Sequence, residues 1–261
     1  MELRKAVAVV LIGAAPLAQA SGDDKVGAEF ELGVLMTSGN TEETNFNSRF
    51  AITQESRRWR NGAELSARHT EAEDETTAEQ YKAEGETNYK FDERQYWFLR
   101  GSWEDDRFSG YAFESSITAG YGNRLWESGE RSFWSVSTGM GYRYNRLDQP
   151  DDDGNEKEDS VIARFATQLD YAISDRALFR QKLSTEVGLE ENNTISESET
   201  ALQANVVGNL SMKTAFRVKH VSDPPEGKER TDTETAITLL YTFCASWIRR
   251  CCAAPTHPDR G

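Results

Sequence analysis

The chain has 261 residues, a formal charge of −14, 37% hydrophobic residues and 10% aromatics, with a mean hydropathy of −0.70. That apolar fraction is low for a globular core of this length, yet aromatic and β-branched residues are too plentiful and too regularly placed for a disordered chain. The acidity argues against nucleic acid as a partner and against simple electrostatic binding to anionic lipid.

The N-terminus reads as a secretory signal. Arg4 and Lys5 supply the positive end, residues 6–17 the apolar run, and Ala18, Gln19 and Ala20 a small-x-small cleavage site. The run is too short to span a membrane as a helix, and no other stretch approaches ~20 apolar residues. No cysteine directly follows the cleavage site, where Ser21 stands, which argues against a lipoprotein. Residues 1–20 carry Glu2, Arg4 and Lys5, so their removal takes the formal charge from −14 to −15. The remaining chain is expected to be exported as one domain over 21–243, with an atypical tail at 244–261.

Beyond the signal the chain alternates. A first strand is expected at about 26–37, with Val26, Ala28, Phe30, Leu32, Val34 and Met36 on one face and Glu29 and Glu31 on the other. Others follow at about 44–55 (Phe46, Phe50, Ile52), 61–73 (Ala63, Leu65, Ala67, His69) and 78–91 (Thr87, Tyr89, Phe91). The next are 95–107 (Trp97, Leu99, Gly101, Trp103), 111–126 (Phe113, Ile117, Ala119, Tyr121) and 131–147 (Trp134, Val136, Met140, Tyr142, Tyr144). Then come 161–173 (Val161, Phe165, Leu169, Tyr171), 177–190 (Phe179, Leu183, Val187, Leu189) and 200–210 (Leu202, Ala204, Val206). The last two are 212–220 (Phe216, Val218) and 231–243, the latter with Thr233, Thr235, Ile237, Leu239, Tyr241 and Phe243 on one face. Each is long enough for the roughly 9–11 residues of a tilted spanning strand.

Two further patterns agree. Every second connection is short (57–60, 92–94, 127–130, 174–176, 210–211), whereas several alternate ones are longer and acidic (148–159, 191–199, 222–231). Aromatics gather near the short-turn ends: Trp59, Tyr89, Phe91, Tyr96, Trp97, Trp126, Phe133, Trp134, Tyr171, Phe179, Tyr241 and Phe243. Short turns on one side, long loops on the other and an aromatic girdle are how outer-membrane barrels are built. A soluble β-sandwich has no need to gather its aromatics at one set of ends. The expected fold is therefore all-β: a transmembrane antiparallel up-and-down β-barrel of about 12 strands, with both termini in the periplasm. Low hydropathy follows, because half of every strand faces water.

Gly33, Val34, Leu35, Met36 and the Thr37, Ser38, Gly39, Asn40, Thr41, Glu42 turn, the strand-turn rhythm and the terminal aromatic strand together resemble a family of Gram-negative salt-induced outer-membrane proteins built on a domain of unknown function. The resemblance covers about residues 26–243. It implies residence in the cell outer membrane without established chemistry, and it carries over no catalytic residue. The Tyr241-x-Phe243 ending resembles the C-terminal signal that barrel-assembly machinery recognises, which makes that machinery and outer-membrane lipid the expected partners.

On the inward parity the charges mix signs: Glu29, Glu31, Arg49, Glu64, Arg68, Lys82, Glu84, Glu86, Arg100, Glu104, Arg124, Arg143, Arg164, Asp170, Arg180, Lys182, Glu186, Lys213, Arg217, Lys219 and Glu234. Such a set makes either a polar channel whose charges filter solutes or a cross-strand salt-bridge network that fills the lumen. Twelve strands lie between filled small barrels and open porins, so size leaves both readings open. The leading expectation is passive passage of small solutes or ions, with a link to salt or osmotic stress implied by the resemblance alone. The alternative is a closed-lumen structural envelope barrel.

Enzymatic chemistry, cofactors and metals are not expected. The acidic loop 148–159 fails as a calcium loop: with Gly154 at the sixth place, the first and twelfth are Gln149 and Ser160. Of the three histidines, His69 and His220 take the outward parity and His257 lies in the tail. Ser66 and Ser222 are near the first two in sequence without a nucleophile–base–orienter arrangement.

After Phe243 the alternation stops. Cys244, Cys251 and Cys252 are the chain's three cysteines, joined by Arg249, Arg250 and Arg260. One reading is a reading-frame change or lost stop codon near Phe243; the other is a periplasmic tail that binds metal or forms disulfides. Placing the barrel's end at Phe243 has a measurable consequence: a chain lacking 244–261 should assemble as well as the full chain or better, scored by heat-modifiable mobility of membrane-extracted protein. Loss of the heat-modifiable form on truncation contradicts that placement.

Overall fold

The structure is a computed structural model, and it describes residues 25–244 apart from 38–42, 73–74, 130, 151–153, 191–192 and 226. The signal segment, the 38–41 turn motif and the tail beyond residue 244 therefore lie outside the described residues.

Twelve strands follow one another: β1 (Lys25–Thr37), β2 (Glu43–Glu55), β3 (Trp59–Ala72), β4 (Glu75–Lys90), β5 (Gln95–Asp106), β6 (Tyr111–Ser128), β7 (Ser132–Leu147), β8 (Lys157–Ser174), β9 (Ala177–Gly188), β10 (Thr194–Val207), β11 (Leu210–Val221) and β12 (Thr231–Cys244). Each pairs antiparallel with its sequence neighbours, and β1 pairs with β12, so the sheet closes on itself. Closure removes both edges and satisfies the backbone within the wall, which is what lets strands cross a hydrocarbon layer.

The apolar face of each strand points outward and is exposed. Phe30, Leu32 and Val34 on β1 continue into Phe46, Phe50 and Ile52 on β2, and around the wall into Leu99, Ile117, Met140, Phe165, Leu183, Leu202, Phe216, Ile237 and Leu239. A continuous apolar belt is far beyond the few hundred Å² that a protein surface tolerates in water; it is the surface of a membrane-spanning barrel. Aromatic rings adjoin one another at the short-turn rim: Trp59–Tyr89 at 5.1 Å, Trp97–Tyr121 at 5.9 Å, Phe91–Tyr121 at 6.2 Å, Trp126–Tyr171 at 6.5 Å and Tyr241–Phe243 at 4.7 Å between centroids. At the opposite rim Phe113 and Tyr144 pair at 5.8 Å.

The structure corrects several boundaries. β10 begins at Thr194, six residues before the sequence reading put it, and β8 begins at Lys157 rather than 161. These segments rise beyond the apolar belt, so their outward residues are polar and show no hydropathy alternation; Thr185–Ser196 and Gln181–Thr200 side-chain hydrogen bonds zip the outward face of β9 and β10 instead. The β10–β11 hairpin turns at 208–209 rather than 210–211, with Gly208 at φ +54°, a conformation glycine adopts at no steric cost.

Tyr96 departs from the girdle assigned to it. It faces the lumen, as does Phe98, and both lie against glycines of the adjoining strands. A Cβ on Gly122 would sit 2.2 Å from the Tyr96 ring, and one on Gly120 or Gly139 would sit 2.9 Å from Phe98. Glycine at these places lets two aromatic side chains lie flat on the inner wall.

Candidate functional site: the charged lumen

Because side chains alternate along each strand, outward apolar residues force their neighbours inward. The inward residues of β1–β5 and β8–β12 are rich in charge, and burial drives those charges to pair. An alternating chain of ion pairs crosses the β1–β12 closure. Glu64 accepts from Arg49 at 2.7 Å, and Arg49 reaches Glu31 at 2.6 Å and Glu29 at 3.5 Å. Glu31 meets Lys213 at 3.3 Å, Lys213 meets Glu199 at 3.6 Å, and Arg217 joins Glu199 at 2.8 Å to Glu234 at 3.2 Å. Arg68 then meets Glu234 at 3.4 Å, so the chain begins and ends on β3.

A second group spans the lumen rather than following the wall. Lys82 on β4 lies 3.1 Å from Glu197 on β10, and also 3.1 Å from Glu84 and 3.6 Å from Glu104. Lys219 on β11 lies 2.8 Å from Glu104 on β5 and 2.8 Å from Glu114 on β6. In a ring of twelve strands, β4 and β10 are six places apart, as are β5 and β11. These pairs therefore tie opposite walls together.

Two cavities adjoin this crossing. One of about 380 Å³ is lined by Glu64, Glu84, Glu86, Tyr96, Arg164, Gln168 and Lys182 among others. A smaller one of about 50 Å³ lies among Ser102, Glu114, Arg143, Asn145 and Glu186. Both are bounded by Lys82, Glu104, Glu197 and Lys219. These four side chains, with Arg100 and Ser184, line both spaces, and although a salt-bridge network in the lumen was one of the two expectations, these partnerships across it were not foreseen from sequence.

Other charges of inward parity meet the following partners. Arg100 pairs with Glu84 at 2.9 Å, Arg180 with Asp170 at 2.6 Å, and Arg143 donates to the Asn193 carbonyl at 2.9 Å. Arg124 stacks over Phe133 at 4.8 Å. Tyr241 and Phe243 are exposed on the outer face at the short-turn rim. Ser66 lines the lumen cavity, whereas His69 bonds Glu71 on the outside at 3.0 Å, so the wall separates them. His220 shares a 2.8 Å hydrogen bond with Thr231.

Comparison with known proteins gives the following. The uncharacterized protein YdiY of Escherichia coli K12 is 29% identical over 212 residues, covering 81% of each chain. The translocator domain of the autotransporter NalP from Neisseria meningitidis is similar at 11% identity and a TM-score of 0.48, over 87% of this chain and 91% of that one. An outer membrane channel from Pseudomonas putida F1 is similar at 9% identity and a TM-score of 0.48, over 86% and 97%. Residues 30–243 match the family model described as "Protein of unknown function, DUF481", and the chain belongs to that family.

Proposed function

We propose that the chain is an outer-membrane barrel, exported by its N-terminal signal and inserted by the barrel-assembly machinery, that passes small ions and solutes through a lumen held shut by the Lys82–Glu197 and Lys219–Glu104–Glu114 plug. In this reading it is not an enzyme, and its partners are outer-membrane lipid and the solutes themselves. The observation that carries the reading is the plug's chemistry. The lumen is crossed by single side chains joined through ion pairs, not by a folded loop or an apolar constriction among the described residues. The plug's members differ in exposure: the side chains of Glu197 and Lys82 are 36% and 24% exposed, whereas those of Glu114 and Glu104 are buried. A partly exposed pair such as Lys82–Glu197 is weak and screened by salt, so in this reading that half of the plug yields first, without unfolding the wall. This physical sensitivity is also what supports a link to salt stress.

The same pairs support the second reading, a permanently closed structural barrel, if they hold under all conditions. Planar-bilayer conductance of the folded full chain separates the two. The Debye length shrinks from ~10 Å at 0.1 M salt to ~3 Å at 1 M, so a yielding plug gives conductance that rises more steeply than bulk conductivity across that range. Absence of any conductance from correctly folded protein at 1 M salt removes the passage reading.

A further inference from the structure

The geometry points to a solute site in the larger lumen cavity that takes a small zwitterion, a molecule carrying both a carboxylate and an ammonium group. The inference rests on the passage reading, in that the solute must be able to reach the lumen.

It starts from charges that the lattice meets only in part. Lys182, on β9, lines the cavity; its ammonium makes no hydrogen bond or close ion pair among the described residues, and it feels Glu199, opposite on β10, and Glu64 and Glu84 only at longer range. Arg164, on the neighbouring β8, has a side chain only 11% exposed, and its guanidinium donates no hydrogen bond. Its buried Nε lies 3.5 Å from Glu186, a carboxylate it shares with Arg100 at 3.6 Å. Buried donors of this kind are costly when unmet, and a guanidinium beside an ammonium is a ready receptor for a carboxylate. This is the cationic wall.

On the other side Glu86, on β4, faces the same cavity. It accepts one hydrogen bond from Asn88 at 2.8 Å and takes part in no ion pair. The Tyr96 ring lines the cavity too, and an aromatic face beside a carboxylate suits an ammonium group. Most opposite charges of this lumen meet directly, whereas Lys182 and Arg164 form no close ion pair with Glu86, although all three line one cavity of about 380 Å³. That volume falls in the range of small-molecule pockets.

The balance of the lining selects the ligand class. Eight basic and ten acidic residues surround the cavity. A simple anion would meet Lys182 and Arg164 but also an acidic surplus, and a simple cation would leave the two basic groups unmet. A molecule with both charges, separated by about the width of the gap, satisfies both walls at once.

The test is a molecular ruler. Full-length barrel folded in neutral detergent micelles at low salt is titrated with ω-amino acids of increasing chain length, with acetate and methylammonium as single-charge probes, and binding is read by calorimetry. Affinity is expected to peak at one chain length, at least tenfold above acetate or methylammonium. It should fall at least tenfold in Lys182→Met and in Glu86→Gln; both variants are checked for wild-type heat-modifiable mobility, and Lys182→Gln replaces the first if it misfolds. Acetate binding as tightly as the best amino acid overturns the proposal, as does wild-type affinity in both folded variants or no binding to the wild-type barrel. Binding without conductance supports the site and removes the passage reading. Conductance without binding removes the site and leaves passage standing.

Discussion

Replacing Lys82 and Lys219 together by methionine should make the lumen open and cation-selective, with single-channel conductance rising severalfold over the parent at 0.1 M salt. Two ammonium groups hold four carboxylates: Lys82 touches Glu84, Glu104 and Glu197, and Lys219 touches Glu104 and Glu114. At an effective dielectric constant near 20, unit charges at 4 Å interact by about 4 kcal/mol. Deleting the cations therefore turns attraction into repulsion of similar size among carboxylates that have only one other close cation, Arg100 at Glu84. Glu197 and Glu104, drawn together from opposite walls, swing apart and water fills the gap. The wall keeps its hydrogen-bonded ladder, because both residues sit within continuous pairings on both sides, Lys82 opposite Ser66 and Glu104, Lys219 opposite Glu197 and Asp232. Bilayer recordings give the conductance, and a salt gradient gives the reversal potential. Unchanged conductance in a variant with normal heat-modifiable mobility sinks the plug. Lys82→Gln with Lys219→Gln tests the same point if the methionine pair fails to fold.

The wall of this barrel was legible in the sequence and its interior only half so. Alternation such as Phe30, Leu32, Val34 against Glu29, Glu31 fixes a strand's faces without knowledge of its neighbours, because side-chain direction has a strict period of two. Parity likewise placed Arg49, Glu64, Arg180 and Arg217 inside. The start of β10 was hidden because Ser196, Glu197, Ser198 and Glu199 are polar on both faces, and only register with β9 and β11 reveals the strand. The Gly208–Asn209 turn did carry a signal, a glycine followed by asparagine between apolar runs, but Val207 and Leu210 made the pattern look continuous. Tyr96 and Phe98 point inward by the same parity that sends Trp97 out; the aromatic clustering at that rim masked it. Partnerships across the lumen were beyond reach. Lys82 and Glu197 are 115 residues apart, and their meeting depends on the barrel's width and the stagger of its strands, which no single segment encodes.

Glu31→Gln is expected to destabilise the barrel by about 3 kcal/mol, the cost of breaking a buried ion pair from one side, whereas Glu64→Gln should cost no more than about 1 kcal/mol, as for an exposed pair. The contrast follows from position. The β1–β12 seam joins the chain's first and last strands over only six paired positions, Gly27–Leu32 against Leu239–Cys244, while β1 and β2 are paired over thirteen. Beyond the ladder the two strands still run close: a Cβ on Gly33 would lie 2.9 Å from the Ile237 carbonyl oxygen. Glu31 is 2% exposed and sits within the seam. From there it accepts from Arg49 on β2 at 2.6 Å, from Lys213 on β11 at 3.3 Å and from the Thr238 hydroxyl on β12 at 3.4 Å. One carboxylate thus links four successive strands across the place where hydrogen bonding is shortest. The glutamine keeps the volume but removes the charge, leaving Lys213 and Arg49 buried with less compensation. Glu64 holds Arg49 from the β3 side, away from the seam, and its side chain faces the lumen cavity and is 34% exposed, so water replaces it at little cost. Urea unfolding of the two variants in micelles, followed by tryptophan fluorescence, measures the difference. Equal midpoints for Glu31→Gln and the parent rule out the carboxylate as the latch of the seam, and a Glu64→Gln loss as large as that of Glu31→Gln shows that the stabilisation is spread along the whole charged chain rather than concentrated at the closure.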